Sequence, residues 1–222
     1  MSAPAQSDDD RELCDLSLAF FGAVTASISH ELNNVISIID QTNGLLEDMV
    51  VGQQQGVPVA VERLGDIAAS IQRQIGRGLG IIKRLNRFAH STDVPETQFD
   101  LNETIGNLCD LCQRLTDLKR AKLEFKAVAG IAVNTTGNPF LLQQAVFAII
   151  RLFLQKAIKD DIITVEIKDI EKGKFVAIEG PCAETEIDDE ELHEFKPAIA
   201  AYKSGFTVSY NQGRAQFEIA LN

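Results

Sequence analysis

Residues 18–49 read LAFFGAVTASISHELNNVISIIDQTNGLLEDM. Leu18, Thr25, Leu32, Ile39 and Leu46 recur every seven residues, and Phe21, Ile28, Val35, Thr42 and Met49 form a second register three positions on. That spacing predicts one long helix, from about Glu12 to Gln54, with an apolar seam of coiled-coil type. Gly and Pro punctuation at 52–58 then predicts a turn. A second heptad pattern follows to His90, pairing Leu64, Ile71, Gly78 and Leu85 with Ala68, Ile75, Ile82 and Ala89. Two such helices joined by a short connection make an antiparallel hairpin. One hairpin cannot bury a two-sided stripe alone, so the pattern predicts a homodimer in which two hairpins form a four-helix bundle.

The periodicity changes beyond this hairpin. The segment STDVPETQ has linker composition, and Pro95 forbids a continuous helix through it. Leu101–Leu118 reads as a helix, KLEFKAV and IAVNT as strands, and a helix opens at Asn138-Pro139 with proline in its first turn. Strands ITVEIKDI and KFVAIEG flank an EKGK turn. A helix is expected around Asp189–Lys203, then a closing hairpin of FTVSYN and RAQFEIAL turned at Gln212-Gly213. This order predicts an α/β sandwich over residues 99–222, after an irregular N-terminus (1–11), the hairpin (12–92) and a linker (93–98).

Composition excludes several classes of function. Lys and Arg number 21 against 32 Asp and Glu, for a net charge of −11. That balance disfavours nucleic acid and anionic membrane surfaces, which require clustered cations. The N-terminus is too polar for a signal peptide, and no uninterrupted apolar run reaches the roughly 18–20 residues of a membrane span. A cytoplasmic location is the resulting expectation, with no sensory domain ahead of the hairpin. The cysteines at 14, 109, 112 and 182 form no disulfide framework. Cys109 and Cys112 make a CxxC, but Leu101, Ile105, Leu108, Cys112 and Leu115 follow helical spacing. A buried pair on one helix face explains them better than a metal or redox site, because no second ligand pair accompanies them.

The residues that carry chemistry are Ser27-Ile28-Ser29-His30-Glu31-Leu32-Asn33-Asn34. With Ile28 in the seam, His30 falls at the most outward position. Asn34 lies one turn further along the same face, and Glu31 points toward the second helix. An outward imidazole can act as a nucleophile at cell pH. A neighbouring carboxylate can hold a proton on its other nitrogen, and an amide one turn on can orient a phosphoryl oxygen or a water. The plain alternative is a solvent-exposed histidine without a role.

In its setting the segment resembles the H-box of two-component histidine kinases, which reads His-Glu/Asp-x-x-Asn/Thr. His30 corresponds to the phosphoacceptor, Glu31 to the acid beside it, and Asn34 to the polar residue that assists phosphoaspartate hydrolysis. Val35 stands where the family usually has proline. The resemblance extends to the α/β part, which is similar to the family's GHKL ATPase domain, or Bergerat sandwich. Asn138, Pro139, Leu142 and Gln144 match the opening of its N-box helix. Its two asparagine positions fall on Ala148 and Leu152, however, and leucine cannot ligate a magnesium ion that demands oxygen. Where the family has Asp-x-Gly-x-Gly, this chain has Glu179-Gly180-Pro181-Cys182. Only the acidic stretch Ala183–Glu190 stands where a nucleotide lid belongs.

The resemblance therefore implies a histidine phosphotransferase in which ATP-dependent autophosphorylation is lost. The chain itself would bind no cofactor, with Mg2+ entering only through a partner receiver domain. Response-regulator receivers are the expected partners, docking around His30 with apolar contact from Ile36 or Ile38, and an upstream histidine kinase is a further candidate. A response-regulator phosphatase using Asn34, a non-catalytic dimeric scaffold and a divergent active kinase stand as alternatives. His90 and His193 read as surface residues, and Phe125, Phe147, Phe153, Phe175, Phe206 and Phe217 as core.

Overall fold

The fold is that of a computed structural model, which describes residues 8–170, 173–182, 187–188 and 190–221. Helix α1 spans Asp8–Gln54 and α2 spans Val61–His90. Three aspartates, Asp8, Asp9 and Asp10, occupy the first turn of α1, where carboxylates meet the positive end of the helix dipole. The hairpin is antiparallel: a Cβ on Gly78 would sit 3.4 Å from Cγ1 of Val35.

After the hairpin, β1 (Thr97–Asp100) pairs antiparallel with β3 (Asn134–Gly137) in a small two-stranded sheet. The main sheet is five-stranded and mixed, in the order β2 (Lys122–Lys126), β4 (Ile162–Ile170), β5 (Gly173–Pro181), β7 (Arg214–Leu221) and β6 (Phe206–Asn211). The β2–β4 pair is parallel and the others are antiparallel. Helices α3 (Leu101–Lys119), α4 (Pro139–Lys156) and α5 (Lys196–Tyr202) complete the sandwich. Alternate residues Ile163, Val165 and Ile167 of β4 and Ala215, Phe217 and Ile219 of β7 are buried. The opposite face is polar, with Lys168 Nζ 2.8 Å from Glu218 Oε1. The expected order of a helical hairpin and then a mixed α/β sandwich is the order observed.

Capping explains why α3 and α4 start where they do. Asp100 Oδ1 accepts from the Asn102 amide at 2.9 Å, and Asn138 Oδ1 accepts from the Phe140 and Leu141 amides at 3.0 and 3.1 Å. The turn between β6 and β7 has φ of 47° at Gln212 and 77° at Gly213, the doubly left-handed geometry of a tight hairpin.

The chain divides into two compact units: one runs through Val24 and resumes at Arg87, and the other is Thr25–Asn86. In the first, Phe20 meets the rings of Phe88, Phe140 and Phe147 at centroid distances of 5.3, 5.3 and 4.8 Å. Ser17 also donates to Gln144 Oε1 at 2.8 Å.

Several expectations need correction. Thr97 and Gln98 belong to a strand rather than a linker, because the β1–β3 register runs from Thr97 opposite Gly137. The strand expected at IAVNT lies three residues later, at Asn134–Gly137. The last helix is shorter than Asp189–Lys203: residues 190–195 form turns, and Pro197 in the first turn of α5 suits a later start. The EKGK turn and the acidic stretch Ala183–Glu190 fall largely outside the described residues. Helix α1 holds a window of mean hydropathy 1.3, apolar enough by length and composition to cross a membrane. Gly, Ser, Thr and single polar residues interrupt its apolar runs, while Ala, Ile, Leu, Val and Phe keep the mean high.

Candidate functional site

The seam of the Thr25–Asn86 unit is made by Ile28 and Val35 of α1 with Ile67, Gly78 and Ile81 of α2, all buried. Thr42 and Met49 continue it, half-buried. One predicted register of α2 holds, through Ile71, Gly78 and Leu85. Of the other predicted row, Ile75 and Ile82 are 41% and 44% exposed on the single chain, while Ile67, Gln74 and Ile81 face α1. Ile67 and Ile81 are as apolar as Ile75 and Ile82, so periodicity alone could not say which pair meets α1.

His30 and Asn34 are exposed, and Glu31 beside them is half-buried. At about 100° per residue, His30 lies roughly 150° around α1 from the Ile28–Val35 seam and Asn34 roughly 110°, both on the same side. Ser29 donates to the Thr25 carbonyl at 2.9 Å, folding its hydroxyl back onto the helix and away from the His30 face. Exposed in this way among the described residues, the imidazole is open to an incoming group.

Ile36 (61% exposed) lies about 90° from the seam in the opposite rotational sense. It therefore belongs to a different face from His30, which corrects its expected place in a contact around that histidine. Ile38, half-buried, is on the His30–Asn34 side. On α2, Leu64, Ile75, Leu79 and Ile82 are 38–62% exposed and lie roughly 70–130° from that helix's seam, in the same sense as Ile36. Because the helices run antiparallel, both displacements lead to one broad face of the hairpin. That face is apolar, and His30 is turned away from it.

In the other unit, the residues that resemble a nucleotide site have structural tasks. Asn138 caps α4, Leu142 is fully buried, and Gln144 is hydrogen-bonded to Ser17. Ala148 and Leu152 are buried beneath the 190–195 turns. Lys156 pairs with Glu191, and Arg151 pairs with Glu194 at 3.2 Å, holding those turns to α4. What remains between Ala148, Leu152, Glu191, His193 and Phe195 is a cleft of about 60 Å³. Small-molecule sites typically have roughly 300–1,000 Å³. Gly180 makes room for Phe153, whose ring lies where a Cβ would be. Glu179 is neutralised by Arg214. His193 is exposed and donates from Nδ1 to the Glu190 carbonyl at 2.8 Å, and His90 pairs with Asp93 at 2.7 Å.

Cys109 and Cys112 are free thiols buried on α3. Burial pushes Cys112 up to about 12, and burial, with the neighbouring Cys112 and Asp110, raises Cys109 well above its ordinary range. Sequence reasoning missed a cleft of about 330 Å³ lined by Arg87, His90, Ser91, Phe99, Thr104, Asn107, Pro139 and Gln143. Its members come from four elements with no shared spacing.

No protein-family model matches the chain, and no curated protein matches it in sequence. Among solved structures it is similar to the Acinetobacter baumannii histidine kinase AdeS, at 14% identity and TM-score 0.49, over 87% of this chain and 97% of that one. It is similar to a bacterial phosphotransferase at 11% identity and TM-score 0.45, over 98% and 100% of the two chains. It is also similar to the histidine kinase ThkA in its complex with the response regulator TrrA, at 15% identity and TM-score 0.48, over 96% and 65%.

Proposed function

We propose that this chain is a two-component signalling protein that carries phosphate on His30 between response-regulator receiver domains. The observation that carries the reading is the exposure of His30 and Asn34 on one face of α1, with the half-buried Glu31 carboxylate adjoining. In the transfer, an imidazole nitrogen attacks the phosphorus of a receiver's aspartyl phosphate. The P–O bond to that carboxylate breaks as the P–N bond forms, and Glu31 stabilises the proton on the ring's other nitrogen. Magnesium would enter with the receiver, since phosphate charge needs a hard cation and this site offers one carboxylate. The reverse step would pass the phosphoryl group to a second receiver.

Two further readings accompany it. The apolar face formed by Ile36, Leu64, Ile75, Leu79 and Ile82 supports a homodimer with a four-helix bundle, leaving both copies of His30 outward. The narrow cleft over Ala148 and Leu152 supports loss of ATP-dependent autophosphorylation. A cytoplasmic location agrees with this role, the apolar face of α1 being covered by the second copy rather than by lipid.

The test is incubation with a purified, phosphorylated receiver domain, following acid-labile phosphate on this chain. Label on the wild type and none on His30→Ala supports the relay. Label lost from the receiver regardless of His30, but retained with Asn34→Ala, would replace the relay with a phosphatase. Asn34 favours that second reading by its exposure one turn from His30.

A further inference from the structure

The 330 Å³ cleft lies away from the Ala148–Leu152 face of α4 and is built from the last turn of α2, β1, α3 and the start of α4. Phe99 and Pro139 give it an apolar wall, and Arg87, Ser91 and Thr104 supply polar groups. Gln143 is the informative member. It is 1% exposed, and its Nε2 donates to the Pro139 carbonyl at 3.1 Å. That bond fixes the orientation of the amide, so Oε1 is the atom left over. Among the described residues Oε1 has no hydrogen-bond partner, yet it is not sealed from solvent. Water reaching the cleft can satisfy that acceptor, and so can a ligand N–H that displaces the water.

Charge narrows what the cleft can take. Arg87 is paired with Glu103 at 2.8 Å, so the rim offers an anion no unpaired guanidinium, while the guanidinium itself disfavours a cation. Arg87 uses one of its five N–H donors in that pair and keeps others for an incoming oxygen. A volume near the lower limit of ligand sites suits a single ring or a fused pair.

We propose that this cleft binds a small, uncharged, planar nitrogen heterocycle through its lactam edge. The ring N–H donates to Gln143 Oε1, the adjacent carbonyl accepts from Arg87, and the ring lies against Phe99. The ligand thereby bridges the end of α2 to α3 and α4, and this does not depend on what His30 does.

Saturation-transfer NMR on the full chain tests this with uracil, hypoxanthine and 1,3-dimethyluracil as probes. Uracil or hypoxanthine gives a signal with wild type, dimethyluracil gives none, and Gln143→Leu loses the signal at least tenfold. Arg87→Ala, on the exposed rim, weakens it several-fold and guards against a folding defect in the buried variant. No signal from either N–H probe overturns the proposal, and so does dimethyluracil binding equally well. A signal unchanged in both variants overturns it too.

Discussion

Gly180 and Phe153 are interdependent: the phenyl ring of Phe153, fully buried, fills the volume that any side chain at 180 would need. The glycine that stands nearest to a nucleotide-binding box is thus kept for core packing. Gly180→Ala should destabilise the fold by at least about 1–3 kcal/mol, the usual cost of overpacking. Urea denaturation of Gly180→Ala, Phe153→Leu and the double variant checks it. The double variant should lose less than the sum of the singles, since the residues share one volume.

His30 is exposed, so His30→Ala should change stability by less than about 0.5 kcal/mol. Thermal unfolding should coincide with wild type while phosphate acceptance disappears. A large drop in Tm would mean that the imidazole has a structural role.

The apolar face of the hairpin should respond to charge. Leu79→Glu with Ile82→Glu places two carboxylates where the residues are now 62% and 44% exposed. Sedimentation velocity should show a shift from dimer to monomer, with helical content retained. An unchanged sedimentation coefficient would remove the homodimer from the proposal.

Placing an asparagine at 152 should not create nucleotide binding. Leu152 is 6% exposed, and the adjoining cleft of about 60 Å³ is bounded by Phe195. Leu152→Asn should therefore cost about 1–3 kcal/mol for a poorly paired buried amide. Fluorescent ATP-analogue titration should remain flat for wild type and variant alike.

The paired thiols give a pH dependence with a definite sign. Cys112 is raised from an ordinary 9.0 to about 12 by burial, so the folded state holds its proton more tightly than the unfolded state. Its contribution to stability is complete below about pH 9 and is lost as pH rises toward 12. Urea midpoints across that range should fall, and less steeply for Cys112→Ala. Below pH 9, a thiol reagent should modify exposed Cys14 quickly and Cys109 and Cys112 only after unfolding.

Much of the fold and part of the candidate site were legible in the sequence. Heptads at Ile28 and Val35 name α1's seam, Asn138-Pro139 marks the start of α4, and Gln212-Gly213 marks the last hairpin turn. The outward setting of His30 and Asn34 follows from the same count, because helical periodicity is a local property. Tertiary structure decided which of α2's isoleucines face α1, since Ile67 and Ile75 are equally hydrophobic. It also decided that Phe153 claims the space beside Gly180 and that Glu191 and Glu194 bind the 190–195 turns to α4. The cleft around Gln143 belongs there too, because Arg87, Phe99 and Gln143 meet only when distant elements pack. Sequence spacing fixes the direction in which a side chain leaves its own element, while what it meets depends on how separate elements pack together.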